Sequence, residues 1–471
     1  MKINSKNIKK ITIAAVIVCA VLIRLLFLMS SDNFHGIAAG KVIEAQRLIN
    51  NPLDARRWIS PAHGPVHMYL IAIALKLFGH PLLVPRLLSL LLGCLSIWFY
   101  YGFLRIVFND EVAMTSAAIA AFFPLHIIYS VLSTAETAFL GFLFAGLFVF
   151  FKYRHSDNDT GIFWAAILLG MASMCRFEGG LFIILISVFL FKKWKRALFF
   201  FASASIFPLV WIISNYVFFG DFFYFLNASD AVVAREFGGL NLFGGEITFM
   251  RKLLYWPLLL NSYFGIVIFI LGFCGLIYYG HRKGYRCITF LFAVVLVFFS
   301  FKTVKEQLAL QPRYGMSLGF LFLPFFSLFF LDIFKRFSFK KFFAVVFFVC
   351  LIFRGAYVSF VSLPHTPEWV KQVALFLHDN IDQESNDAVY LDIDNNDFKE
   401  PIKILSDIGV ERFVDFEGYG SHVELLSPSD QEKVRYIVLV AKEKELLNLK
   451  EIFRIEDCKV YEINKTERNG A

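Results

Sequence analysis

The chain has 471 residues, of which 58% are hydrophobic and 18% aromatic, with 59 phenylalanines and a formal net charge of +8. A soluble protein of this length could not bury so much apolar side chain, so the composition excludes an ordinary soluble domain. Repeated apolar runs reach about 18–20 residues, the length that crosses the hydrocarbon core of a bilayer. The sequence therefore predicts a polytopic α-helical membrane protein.

About eleven transmembrane helices fit the apolar runs of the chain. The first run follows MKINSKNIKK and lacks the small-residue cleavage site of a signal peptide, so we expect it to remain as a first span. The predicted spans are approximately residues 10–30, 84–108, 112–132, 136–153, 160–176, 179–193, 196–219, 253–280, 286–303, 314–334 and 341–360.

The short connections between these spans differ in their content of basic residues. When the N-terminus is placed in the cytoplasm, the cytoplasmic connections hold 18 Lys and Arg residues. Such a bias marks the cytoplasmic face of a membrane protein. The odd number of spans then places residues 361–471 outside, as a domain separate from a transmembrane domain of residues 1–360. We expect a multi-pass protein of the cytoplasmic (plasma) membrane.

The first outer connection, residues 31–83, is long and begins where an apolar helix delivers Asp32 to the water interface. Residues 34–49 carry one apolar face with polar residues opposite, which is typical of a helix in the interface plane. The apolar run 65–79 is too short to span comfortably and predicts a second such helix. We expect these two interfacial helices to roof a cavity at the outer leaflet.

Arginines mark the predicted outer ends of the spans, where the positive-inside rule predicts few of them. Guanidinium groups grip phosphate bidentately, and an ionisable group at membrane depth costs about 2.5–3.5 kcal/mol to insert. We interpret these residues as a cluster that binds the phosphate of a lipid; the alternative for any one of them is snorkelling to the headgroups. They are Arg24, Arg86, Arg176 and Arg313.

The order of these motifs resembles that of a known family. Arg24, Asp32 and HGPVHMYLIAIALKLFG are followed by PRLLSLLLG, TAETAFL, CRFEGG and PRYG. This order resembles the membrane-embedded C-type glycosyltransferases, specifically the protein O-mannosyltransferases and lipid A aminoarabinose transferases of glycosyltransferase family 39, over roughly residues 10–335. The resemblance implies a polyprenyl- or dolichyl-phosphate sugar donor, transfer on the extracytoplasmic face, and a first-loop catalytic Asp, which Asp32 matches. Asn33 replaces the Glu that often follows it.

The chemistry of such a donor needs few catalytic groups. A sugar on a lipid phosphate has a leaving group that is already an anion, so arginines can stabilise it without a general acid. One carboxylate base then suffices to deprotonate the acceptor, whereas glycosidases need two carboxylates. We predict inverting transfer with Asp32 as the base and Glu136 as a second acid or an arginine partner. The candidate substrate-binding residues are His63, Glu178 and Tyr314.

The C-terminal residues 361–471 differ from the rest, with 13 Lys and Arg against 23 Asp and Glu. Residues rich in β-branched and aromatic side chains predict strands, and the segments between them have helical periodicity. We expect a small extracytoplasmic α/β domain with a mainly parallel sheet. The predicted strands are residues 388–394, 412–417, 434–440 and 458–464, and the predicted helices are residues 368–381, 398–409 and 442–453.

Other functions remain open at this stage. A polymerase or ligase of lipid-linked glycan would also carry outer arginines, and a scaffold with an outer binding domain would not need Asp32. A secondary transporter should show related halves and broken helices, which the sequence does not predict. We expect no cofactor, with a divalent metal left open, and no nucleic-acid partner. The expected partners are a polyprenyl-phosphate sugar, membrane lipids and an acceptor protein, lipid or surface glycan.

Overall fold

The structure is a computed structural model that describes most of the chain, which is largely helical. The described residues are 5–31, 36–52, 64–225, 248–308, 310–335, 340–363, 365–382, 385, 387–393, 396–409, 412–414, 434–440, 450–456 and 458–462. Asp32 and His63, both expected in the site, lie outside the described residues.

Fifteen α-helices lie between residues 5 and 362 in the described ranges, and two short 3-10 turns, Phe191–Lys193 and Pro312–Tyr314, precede α10 and α14. The helices are α1 (Ser5–Ser30), α2 (Gly36–Asn50), α3 (Val66–Phe78), α4 (Val84–Val107), α5 (Asp110–Ala121), α6 (Pro124–Val131), α7 (Ala135–Tyr153), α8 (Asp159–Cys175), α9 (Glu178–Val188), α10 (Trp194–Phe219), α11 (Phe249–Phe264), α12 (Ile266–Tyr279), α13 (Arg286–Val304), α14 (Gly315–Lys335) and α15 (Lys340–Ser362).

Each of the eleven predicted spans coincides with one of these helices or with two consecutive ones. Among the described residues, seven helices are long and apolar enough to cross a membrane, or eight if the bent pair α5 and α6 forms one span. The shorter apolar helices are α3, α8, α9 and α12. The protein is therefore a multi-pass helical membrane protein, while the count of eleven crossings and the orientation stay predictions.

Two of the predicted spans are broken. Helices α5 and α6 meet at an angle of 58°. Pro124 is the first residue of α6, a position where the N–H that proline lacks would have no acceptor within the helix. Helices α11 and α12 are separated by Gly265, whose φ of +85° favours glycine. The expectation that the helices are unbroken is therefore wrong at these two positions. Both breaks follow local backbone chemistry that a hydropathy pattern does not reveal.

Helices α2 and α3, which we call the roof, lie in the outer connection expected to hold two interfacial helices. Val42 and Ile43 of α2 are buried with Met68 and Ile71 of α3 in one apolar cluster. Ile404 of the C-terminal domain belongs to the same cluster. Both helices are therefore present where the sequence predicts them, but the apolar face of α2 packs within the protein.

The described residues of the C-terminal domain form a mixed sheet of five strands with two helices. The elements are α16 (Glu368–Asn380), β1 (Ala388–Asp392), α17 (Asn396–Leu405), β2 (Phe413–Val414), β3 (Val434–Val440), β4 (Lys450–Ile455) and β5 (Cys458–Glu462). Strand β1 pairs in parallel with β2 and β3, whereas β5 pairs antiparallel with β3 and with β4, giving the order β2-β1-β3-β5-β4. Helix α17 packs against α2 of the roof.

Strand β4 (Lys450–Ile455) corrects one sequence prediction, because it overlaps the last four residues of the segment 442–453 expected to be helical. Its residues pair with β5 from Ile455 opposite Cys458, so a tight turn joins the two strands. Glu456 in this turn has a φ of +51°. Pairing with β5 outweighs the helical periodicity, and it makes the sheet mixed rather than mainly parallel.

Candidate functional site

Three chain turns converge on one group of charged side chains. Glu136 lies in the first turn of α7, where the helix dipole favours a carboxylate. Arg176 and Glu178 flank the tight turn between α8 and α9, and Arg313 lies in the 3-10 turn before α14. The turn between α8 and α9 needs glycine at position 179, because a Cβ there would lie 2.4 Å from the backbone nitrogen of Ser173.

The four charged groups, which we call the Glu136 cluster, pair with one another. Arg176 donates through Nη1 to Glu136 and through Nε to Glu178 Oε1 and Oε2 at 3.0 and 3.2 Å. Arg313 Nε lies 3.7 Å from Glu136 Oε1 and has no hydrogen-bond partner. All four side chains are buried, so their charges act on one another with little screening by water.

Tyr314 lies against both arginines of this cluster. The Cζ atom of Arg176 is 4.4 Å from the centre of the Tyr314 ring, and that of Arg313 is 5.6 Å away. A cation over an aromatic face is attracted by the negative centre of the ring. Tyr314 therefore helps to hold both guanidinium groups in place, and its predicted contact with substrate stays a prediction.

The geometry favours one of the two roles expected for Glu136. Its carboxylate is fully buried between Arg176 and Arg313, and removing one partner of a buried ion pair is strongly destabilising. Glu136 is thus an arginine partner in this structure, and its alternative role as a second catalytic acid stays a prediction. Arg176 donates hydrogen bonds to both Glu136 and Glu178. The Nε atom of Arg313 has no hydrogen-bond partner, so Arg313 is better able than Arg176 to bind an added anion.

Arg24 lies in a different buried network. It donates to the carbonyl oxygens of Ala20 and Ala121 at 2.9 and 3.0 Å and to His126 Nδ1 at 2.6 Å. His126 Nε2 donates to Ser96 Oγ at 2.9 Å, so both ring nitrogens of His126 are hydrogen-bonded. Arg24 therefore binds the end of α5 at the bend, in contrast to its predicted place in the phosphate cluster.

Replacing Arg24 with glutamine should lower thermal stability without weakening the binding of a lipid phosphate. Ala121 and His126 lose charged hydrogen bonds that are each worth about 1.5–3 kcal/mol. Thermal unfolding in detergent measures the change. The control Arg105→Gln should have little effect, because Arg105 is 61% exposed and its pair with Asp110 is worth about 0–1 kcal/mol. A tenfold loss of lipid-phosphate affinity in the Arg24 variant would contradict this structural role.

Arg86 connects the ends of two helices. Its Nε donates to the carbonyl oxygen of Val131 at 3.0 Å, and its Nη2 donates to those of Leu28 and Ser31 at 3.2 and 3.0 Å. Ser31 directly precedes Asp32 in the chain. Arg86 therefore binds the backbone of Ser31, the residue just before Asp32 in the chain. Its predicted contact with phosphate stays a prediction.

Two buried polar residues of the roof were not among the candidates from the sequence. Lys41 of α2 is 5% exposed and His67 of α3 is 1% exposed. The Lys41 ammonium and both ring nitrogens of His67 lack hydrogen-bond partners. One signal in the sequence could have identified Lys41, since it lies on the same helical stripe as the buried Ala38 and Ala45.

The electrostatics of these two residues connect the roof to the Glu136 cluster. The pKa of Lys41 is lowered to about 7, mainly by burial; Glu136 raises it, whereas Arg313 and Arg176 contribute to lowering it. Burial and the nearby Lys41 lower the pKa of His67 to about 3. At neutral pH the imidazole of His67 is therefore uncharged, whereas the charge of Lys41 titrates in this range.

Comparisons with known proteins agree with this architecture. The family model for dolichyl-phosphate-mannose-protein mannosyltransferase matches residues 62–217. The crystal structure of ArnT from Cupriavidus metallidurans bound to undecaprenyl phosphate superposes with a TM-score of 0.67 at 13% identity, covering 95% of this chain and 97% of ArnT. The resemblance to the C-type glycosyltransferases is confirmed. No curated protein matches the sequence at a significant level.

The same fold is present in archaeal oligosaccharyltransferases. The Archaeoglobus fulgidus enzyme in complex with Zn and sulfate matches with a TM-score of 0.60 at 15% identity, covering 90% of this chain and 67% of that one. AglB from the same organism, in complex with an inhibitory peptide and a dolichol-phosphate, matches with a TM-score of 0.55 at 13% identity, covering 90% and 69%. These likenesses concern the C-type fold.

The matched segment divides the candidate residues. Arg86 and three members of the Glu136 cluster fall within residues 62–217, whereas Asp32, Lys41 and Arg313 lie outside it. The structure nevertheless brings Arg313 to Glu136 across the bundle. The C-type fold thus joins residues from both parts of the chain into one buried site.

Proposed function

We propose that this protein transfers a sugar from a polyprenyl-phosphate-linked donor to an acceptor at the extracytoplasmic face of the membrane. The observation that carries this proposal is the buried Glu136 cluster together with the Lys41 ammonium of the roof, which interacts electrostatically with the cluster and has no hydrogen-bond partner. ArnT binds undecaprenyl phosphate and AglB binds dolichol-phosphate, and both have the same fold. An anionic lipid headgroup suits a site of this charge.

The charges of the site support an anionic ligand. Lys41, Arg176 and Arg313 are cations, whereas Glu136 and Glu178 supply two carboxylates. Among these described groups one positive charge is therefore uncompensated when Lys41 is protonated. Burying such a charge is unfavourable unless an opposite charge pairs with it, and a phosphodiester would supply one negative charge.

The proposed reaction is a single displacement. The acceptor oxygen forms a bond to the anomeric carbon of the sugar, while the bond from that carbon to the phosphate oxygen breaks. The acceptor proton goes to the carboxylate of Asp32, and the polyprenyl phosphate leaves with the electron pair of the broken bond. Attack from the face opposite the leaving group inverts the anomeric centre. Asp32 is the proposed general base, because one base suffices when the leaving group is already anionic.

The location of the reaction belongs to the same proposal. With the N-terminus in the cytoplasm, the cluster, the roof and the C-terminal domain lie on the extracytoplasmic side of the plasma membrane. The proposal includes no metal or other cofactor. The proposed acceptor is a protein, a lipid or a surface glycan. The C-terminal domain packs on the roof through α17, and this contact supports the proposal that the domain influences the approach of the acceptor.

Transfer can be measured with the purified protein in proteoliposomes. We expect a radiolabelled polyprenyl-phosphate sugar to lose its label to acceptors in a membrane extract, one sugar at a time. A ladder of products that lengthens with time would instead favour a polymerase of lipid-linked glycan. Label that accumulates in the vesicle lumen without bond transfer would favour a secondary transporter. Unchanged donor across a panel of sugars would contradict the proposal.

A further inference from the structure

Of the three cations formed by Lys41 and the two arginines of the Glu136 cluster, Lys41 is the one without an ion pair among the described residues. Its Nζ atom is buried and has no hydrogen-bond partner, although Glu136, Arg176 and Arg313 are close enough to shift its pKa. Arg176 is held by two carboxylates, and Arg313 lies beside Glu136. The charge left over in this group is therefore located on the roof helix α2.

His67 provides a second unpartnered group in the same place. Both of its ring nitrogens are buried without hydrogen bonds, and Lys41 is near enough to lower its pKa. A neutral imidazole offers one N–H donor and one acceptor nitrogen. Buried polar groups are rarely left unpaired, so an unpaired ammonium beside an unpaired imidazole indicates a ligand that carries oxygen atoms.

We propose that Lys41 binds the phosphate of the lipid-linked donor and that His67 donates a hydrogen bond to the same headgroup. This inference rests on the proposed function and deepens it. The paired arginines of the Glu136 cluster then position the site, whereas Lys41 supplies the charge that the ligand neutralises. Such an assignment differs from the sequence prediction, in which arginines alone bind the phosphate.

The surroundings of Lys41 predict how this binding depends on pH. Glu136 on α7, Arg176 and Cys175 at the end of α8, Arg313 before α14 and His67 on α3 act on its charge. Helix α17, which also packs against α2, carries the ion pair of the buried Lys403 with Glu400, whose Nζ and Oε1 atoms are 3.3 Å apart.

The unliganded pKa of Lys41 lies at about 7, so the ammonium is charged below this pH and neutral above it. A phosphate anion binds the charged form better, and its affinity should fall as the pH rises above about 7, by up to about tenfold per pH unit. Binding should therefore be accompanied by proton uptake near neutral pH. An arginine at position 41 would stay charged and lose this dependence.

The test uses the full-length protein in detergent and undecaprenyl phosphate as the probe. Lys41→Met should weaken binding by about tenfold or more, as expected for a charged hydrogen bond. Its thermal stability should stay the same or rise, because an unpaired buried charge is removed. Lys41→Arg should bind with a flatter pH profile than the wild type. The control Lys76→Met, on the exposed side of α3, should bind like the wild type.

The second pKa of a phosphate monoester lies near 6 and affects every variant alike, so the difference between wild type and Lys41→Arg isolates the lysine. Binding by Lys41→Met as tight as that of the wild type would overturn the inference alone. Identical pH profiles for wild type and Lys41→Arg would do the same. If the wild type itself bound no undecaprenyl phosphate or other polyprenyl phosphate, the proposed function would fail together with the inference.

Discussion

Asp32→Asn should reduce sugar transfer by about 10²–10⁴-fold, the usual contribution of a general base, while the protein still inserts and unfolds at its normal temperature. Asparagine has nearly the same shape as aspartate but cannot accept the acceptor proton. Its affinity for undecaprenyl phosphate should change little, because binding depends on the cations of the site. Single-turnover transfer from a pre-bound labelled donor measures the chemical step directly.

The matched control for this variant is Asp54→Asn, which removes a carboxylate from the same outer connection, residues 31–83. We expect it to turn over at the wild-type rate. Near-normal single-turnover rates in Asp32→Asn would remove the base from the mechanism. Loss of donor binding in that variant, with the chemical step intact, would assign Asp32 to positioning instead.

Glu136→Gln should destabilise the protein by about 3–5 kcal/mol, the effect of removing one partner from a buried ion pair. The amide keeps the size of the side chain but leaves Arg313 without the carboxylate beside it. Arg176 is affected less, because Glu178 still accepts from its Nε and Nη2. Thermal unfolding in detergent should show a large downward shift, and transfer should be lost because both arginines move.

Two further variants distinguish the destabilisation expected for Glu136→Gln from the effect of removing any carboxylate. Glu111→Gln should be nearly neutral, because Glu111 is 62% exposed and lies 3.8 Å from Lys335. Adding Arg313→Gln to Glu136→Gln should restore part of the stability, since the uncompensated cation is then removed. A Glu136→Gln protein with wild-type stability would contradict the pairing described for the cluster.

Hydropathy was sufficient to predict most of the membrane part. The length of an apolar span is set by the thickness of the bilayer, so it can be read from the sequence. Helices such as α4 and α7 therefore begin and end within a few residues of the predicted spans. The bend between α5 and α6 could not be predicted in this way, because it depends on Pro124 and on the donor that Arg24 brings from another helix. Likewise, β4 forms only because β5 is present to pair with it.

The sequence predicted which charged residues form the site better than it predicted which of them pair with one another. The presence of Arg176, Arg313 and Glu136 at predicted outer ends suggested that they meet, and the structure brings them together. Their spacing could not show that the arginines bind carboxylates, because that depends on how three turns meet across the bundle. Lys41 was missed because its burial depends on tertiary packing, and the helices that pack against α2 include α3 and α17 from separate parts of the chain.

A cryo-electron microscopy structure of the wild-type protein with bound undecaprenyl phosphate would test the central claim most directly. We expect the phosphate beneath α2 and α3, within hydrogen-bond distance of the Lys41 Nζ atom and beside the Glu136 cluster, with Asp32 facing the same space. A phosphate bound at the opposite end of the bundle, or outside the roof with Lys41 still unpaired, would contradict the account.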